Sequence, residues 1–111
     1  MNSKVEIDCS VISGWDSFHK VFKEKLGFPE FYGNNMNAWI DCMSSLSDPK
    51  DQMTSIHCKK GGVVTLYLSN INHLITKQPE IYRTLVDCSA FVNYRLIEVG
   101  EPPVLVLAYD A

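Results

Sequence analysis

Three carboxylates and one adjacent imidazole–thiol pair are the side chains whose types and spacing could do chemistry. Glu30, Asp41 and Asp48 lie in a stretch with no Lys or Arg between Lys25 and Lys50. The chain holds 13 acidic and 10 basic residues, for a net charge of −3, so these three acids account for the whole excess. Concentrated carboxylates steer a cationic partner and accept charge-assisted hydrogen bonds from it. His57 and Cys58 are neighbours in a polar segment and have the types of a nucleophile–base pair or of metal ligands. Their spacing matches no zinc pattern, and Cys9, Cys42, Cys58 and Cys88 form no CxxC. His19 and His73 fall in no nucleophile–base pattern.

Other chemistry finds no support. GxGxxG, a P-loop, HExxH and GxSxG are all missing. Lys59-Lys60 is the one adjacent basic pair in an acidic chain, and no aromatic–basic interleaving accompanies it, so direct nucleic-acid contact is not expected. No catalytic residue, metal or cofactor is assigned. A non-catalytic binding module fits these observations better than an enzyme.

The elements that present Asp41 follow from periodicity. Phe28-Pro29-Glu30-Phe31-Tyr32-Gly33 reads as a turn-rich loop, and a helix begins at Asn34 or Asn35, with Asn35 a good N-cap. Met36, Trp39, Ile40 and Met43 recur at the 3–4 spacing of a buried stripe. Asn34, Asn37, Asp41, Ser45 and Asp48 fall on the opposite, wet side. Asp41 is thus carried on a rigid scaffold with no base nearby in sequence.

The rest of the chain gives an α/β pattern. Val5, Ile7 and Cys9 alternate with Glu6 and Asp8 as in a strand. Ser13 or Asp16 caps a helix whose apolar side is Trp15, Phe18, Val21 or Phe22, and Leu26, and Gly27 ends it. His19 beside this stripe reads as structural. Ser47-Asp48-Pro49 is a stop, and residues 48–62 form a connection long enough to hold a short element or a functional loop. Residues 63–68 read as a strand covered on both faces. Ser69-Asn70 caps a short helix through Ile71, Leu74 and Ile75, and Pro79 opens the last long helix. Along it Ile81, Leu85, Cys88, Val92, Leu96 and Val99 hold register, and Phe91, Tyr94 and Ile97 widen the buried side. Residues 104–109 form a final strand, again apolar on both faces. Three strands interleaved with helices predict a small three-stranded parallel sheet packed with helices, in one domain over residues 1–111.

No apolar run approaches the roughly 20 residues that span a bilayer. The first residues lead straight into a strand pattern without an apolar leader, so a cytoplasmic protein with no membrane contact is expected. The cysteines are then reduced core thiols, with Cys58 in its polar loop the one open to oxidation.

Phe18-His19 through Lys25-Leu26, then Pro29-Glu30-Phe31-Tyr32-Gly33, Asn35, Ala38 and Asp41-Cys42, resemble the barstar family of ribonuclease inhibitors. The combination of PE-aromatic-YG-x-N with a following Ala-x-x-Asp-Cys carries the resemblance over residues 15–46, and the remainder matches in element order. It implies a barstar-like fold and tight inhibition of a nuclease by the loop and second helix, with Asp41 taking a substrate phosphate position. Asp41, Asn37, Phe31, Gly33, Asn35, Ala38 and Ser45 are the partner-binding residues it implies. Asn35 caps the helix and can also touch the nuclease. The implied partner is a basic ribonuclease or related nuclease toxin, met by a monomer in a 1:1 complex. The chain departs from the family pattern at Asn37, where a second helix carboxylate is expected, at Phe31, where the family has Tyr, and at Leu46, where it has Trp. Glu98 and Glu101 are the candidates for a late acid. Two other readings stand beside this one: an adaptor binding a non-nuclease partner through the same acidic face, and a small enzyme using His57 and Cys58.

Overall fold

The computed structural model describes residues 3–110. Met1, Asn2 and Ala111, at the ends of the expected 1–111 domain, lie outside the described residues. Strands β1 (Ser3–Asp8), β2 (Val64–Ser69) and β3 (Leu105–Ala108) alternate with helices α1 (Trp15–Leu26), α2 (Met36–Met43), α3 (Ile71–Lys77) and α4 (Pro79–Glu98). Cys9–Val11 and Pro49–Asp51 add two 3₁₀ turns; the second is the short element inside the 48–62 connection. Among the described residues no helix is long and apolar enough to cross a membrane.

The sheet is parallel in the order β1-β2-β3. Val5 pairs with Leu66, Ile7 with Leu68, and Val64 with Leu105, which aligns one buried row across all three strands. The opposite face is open: Lys4 aligns with Thr65 and Val106, and Lys4 Nζ lies 5.6 Å from the centre of the Tyr67 ring. The expected double cover of β2 and β3 is therefore corrected. β2 alternates buried and half-buried residues, and Val106 on the edge strand β3 is exposed. A continuous apolar run does not reveal that helices cover one face alone.

α1 packs on β1, while α4 packs on β3, α2 and α3. Phe18, Phe22 and Leu26 of α1 and Trp39, Ile40 and Met43 of α2 share one core with the inner row of the sheet. Phe22 meets Trp39 edge to face, ring centres 5.7 Å apart, a geometry that the ring quadrupoles favour. Leu46, the site of the departure noted above, is fully buried in this core.

On α4 the buried residues are Ile81, Leu85, Ser89 and Val92. Phe91, Tyr94, Ile97 and Val99, expected inside, are exposed. A helix on the edge of a one-sided core buries one sector, and these four lie outside it. The helix caps also differ in detail from expectation. Gly14 occupies the N-cap of α1, and the Ser17 hydroxyl accepts from Gly14 N–H at 3.2 Å and Ser13 N–H at 2.8 Å. Asn70 makes no side-chain cap; it takes a left-handed φ of 54° and donates through Nδ2 to Asp8 Oδ1 at 2.8 Å. Cys58 is buried, with its N–H bonded to Leu46 O at 3.0 Å, so the loop turns it inward. Half-buried Cys88 is the more accessible thiol.

Candidate partner-binding face

The segment from Gly27 to Met43 is held at both ends and in the middle. Gly27 leaves α1 at φ 70°, a left-handed conformation that β-carbon-bearing residues avoid. Any Cβ there would run into Ser55, whose N–H bonds Leu26 O at 2.8 Å. Pro29 and Tyr32 then close a turn, with Tyr32 N–H on Pro29 O at 2.9 Å. The Tyr32 ring turns inward against Phe28, centres 4.7 Å apart, and its hydroxyl reaches His19 Nδ1 at 2.6 Å.

Both partners of that last bond are buried. Burial lowers the pKa of His19, against a smaller opposing effect of Asp16. Burial likewise raises that of Tyr32, with Cys42 adding to it. Neutral imidazole and protonated phenol are thus the favoured states. We assign the phenol as donor and Nδ1 as acceptor, because the reverse would strand a buried O–H. His19 is structural, as its place beside the α1 stripe suggested.

Asn35 starts α2 as expected. Its Oδ1 accepts from Ala38 N–H at 2.8 Å, and its Nδ2 donates back to Gly33 O at 3.1 Å. A Cβ at Gly33 would crowd that same Nδ2, so glycine lets the cap and the loop close on each other.

With loop and helix fixed, Pro29, Phe31, Tyr32, Gly33, Ala38, Asp41, Cys42 and Met53 line a shallow recess of about 290 Å³. Four of the sequence-named residues, Phe31, Gly33, Ala38 and Asp41, therefore meet around one depression. Phe31 is 77% exposed. Asn35 and Asn37 are exposed nearby on the first turn of α2. Ser45 is turned aside, its hydroxyl donating to Asp51 Oδ2 at 2.9 Å. Buried Cys42 has its pKa pushed up to about 11, by burial first and then by the charge of Asp41.

Asp41 is not left unpaired, contrary to the expectation from its sequence neighbours. Arg95 of α4 donates through Nη1 to Asp41 Oδ1 at 3.2 Å, with the two side chains 44% and 61% exposed. Glu30 also approaches a base, Lys23 Nζ at 3.9 Å, from a fully exposed position. Of the two late acids, Glu101 pairs with Lys60 at 3.1 Å, and Glu98 is exposed one turn beyond Arg95. Arg95 is the residue that sequence reasoning missed.

His57 and Cys58 do not assemble a nucleophile. His57 Nδ1 faces Thr54 Oγ1 at 3.5 Å, and the Cys58 thiol points to Gly62 O at 3.7 Å. Burial raises the Cys58 pKa, the opposite of what a thiolate nucleophile needs. Among the described residues no group of three or more His, Cys, Asp or Glu could hold a metal ion.

The family model described as Barstar (barnase inhibitor) matches residues 2–108 of the chain. No match is found among the curated proteins compared.

Proposed function

The chain belongs to the barstar family, and we propose that it inhibits a ribonuclease toxin by plugging the toxin's active site with the loop and α2. The observation that carries this reading is the placement of Asp41. Its carboxylate stands exposed on the rim of the recess, on a helix fixed by the Asn35 cap and a fully buried Trp39. A ribonuclease binds phosphate through cationic side chains. A carboxylate delivered there without reorganisation accepts charge-assisted hydrogen bonds in the phosphate's place.

Phe31 supplies an exposed aromatic face beside it, and Gly33 lets the partner's backbone come close. Asn37 and Ala38 line the approach along the first turn of α2, and Asn35 and Ser45 flank it. In this reading the protein acts in the cytoplasm as an immunity protein, one copy to one toxin, and carries out no reaction itself.

Affinity capture from lysate and medium of the source organism tests it, with immobilised wild type and Asp41→Ala side by side. Retention of a basic nuclease by wild type alone is the expected result. Equal retention of one non-nuclease protein on both columns would replace the inhibitor by an adaptor.

A further inference from the structure

Arg95 brings a cation to a face from which the local sequence excludes them. The loop and α2 contribute acids and no base between Lys25 and Lys50. The fold then sets α4 against α2 and delivers one guanidinium to the carboxylate of Asp41, Nη1 to Oδ1 at 3.2 Å. Among the described residues no second contact completes a two-pronged fork, so Oδ2 of Asp41 and the outer N–H groups of Arg95 remain open to a partner. A single-contact pair this exposed contributes little stability. Its larger effect is on the local potential, since a positive charge beside Asp41 cancels much of the field that would draw a cation.

The neighbours of Arg95 sharpen its role. Phe91 and Glu98 stand four residues before it and three after, on the same side of the helix. Phe91 is exposed and touches the equally exposed Tyr94, ring centres 6.4 Å apart. The guanidinium is therefore set at the border between α2 and the outer side of α4, where a partner seated on Asp41 would meet it.

Resting on the reading that Asp41 enters a nuclease's cationic site, we propose that Arg95 is a specificity-determining residue of this inhibitor. It selects a nuclease whose phosphate-binding cations are bordered by a carboxylate, and it weakens binding to one that presents cations alone. In the favoured pairing the partner's cation takes Asp41 Oδ2, and the partner's carboxylate accepts from the outer N–H groups of Arg95. The four charges then alternate in sign. Against cations alone, the guanidinium is pressed among like charges, which opposes binding.

Barnase, the nuclease named in the family description, serves as the probe for a cationic ribonuclease site. Inhibition and association rate would be measured at several salt concentrations for wild type, Arg95→Lys, Arg95→Gln, Arg95→Glu, Asp41→Asn and the Asp41→Asn/Arg95→Gln double variant. Relative to wild type, inhibition is expected to tighten about tenfold for Arg95→Gln and about a hundredfold for Arg95→Glu, mostly through association rates that fall with salt. Arg95→Lys should stay near wild type, and Arg95→Gln should lose its effect once Asp41 is Asn. Lys77→Gln on α3 controls for net charge, and an equal gain there would overturn the proposal. Asp41-dependent inhibition that is indifferent to Arg95 would overturn the role of Arg95 and leave the inhibitor reading standing. Inhibition that depends on Asp41 in no variant would overturn both.

Discussion

His19 Nδ1 and the Tyr32 hydroxyl, 2.6 Å apart and both buried, tie the first helix to the loop that shapes the recess. The bond joins two residues of a segment whose outer side is reserved for a partner, so it fixes the recess from beneath without occupying it. Its loss in Tyr32→Phe leaves a buried imidazole nitrogen without its partner. The expected cost is about 1–2 kcal/mol of unfolding free energy, measured by denaturant titration.

The same bond makes stability depend on pH in a fixed direction. Burial lowers the folded-state pKa of His19 below its ordinary value of 6.5, so the unfolded chain binds the proton more readily. Stability from this group is complete above that ordinary value, and it is lost as pH falls from there through the lowered folded-state pKa. Denaturant midpoints between pH 8 and pH 5 should fall on the acid side in wild type. A His19→Gln variant, lacking the titrating ring, should show a flatter profile.

Gly27 should not tolerate a side chain. Its φ of 70° and the contact that a Cβ would make with Ser55 act together. Gly27→Ala is expected to cost about 2 kcal/mol or more, from the left-handed backbone and the displacement of the Ser55 segment. Thermal unfolding measures the loss. Because Gly27 opens the loop, partner affinity should fall along with stability.

Asp41→Ala and Phe31→Ala should separate binding from folding. Both side chains are largely exposed, and the Asp41–Arg95 pair is the kind whose removal changes stability by at most about 1 kcal/mol. Unfolding curves should overlay those of wild type to that margin. Capture or inhibition of the nuclease should be nearly abolished for Asp41→Ala and reduced for Phe31→Ala.

Thiol reactivity should follow burial rather than loop polarity. Cys9, Cys42 and Cys58 are buried, whereas Cys88 is half-buried. All four have raised pKa values, chiefly through burial. A maleimide applied to the native protein, with the modified sites mapped by mass, should label Cys88 first. Cys58→Ser and His57→Ala should leave partner binding unchanged; loss of function in either would revive the enzyme reading.

What could be read from the sequence was what lies within one element. The Asn35 cap, the Met36–Trp39–Ile40–Met43 stripe and the outward direction of Asp41 all repeat over a turn or two of helix, where spacing dictates position. Arg95 was invisible because it reaches Asp41 across 54 residues and between two helices. Periodicity says which side of α4 is apolar but not which residue of α2 it meets. The exposed Phe91, Tyr94 and Val106 were misjudged for a related reason. Apolar character marks what could be buried, and the one-sided layering of this sheet decides what is. Cys58 shows the converse, a polar neighbourhood turned inward by backbone bonds to Leu46 and Gly62 that only the folded chain supplies.

The order of strands in the sheet has a consequence for how the face comes into being. The central strand β2 pairs with Ser3–Asp8 on one side and with Leu105–Ala108 on the other, both far away along the chain. No strand pair can close locally, so sheet formation carries a heavy loop-closure cost and is slow relative to helix formation. During synthesis, Asp41 leaves the ribosome well before Arg95 and well before the strand on which α4 rests. The loop and α2 therefore exist first as an unanchored fragment, and they acquire their fixed shape once the last strand has docked. Competence to bind arrives late and all at once, so a nascent chain stalled before residue 105 would offer its toxin no lasting grip.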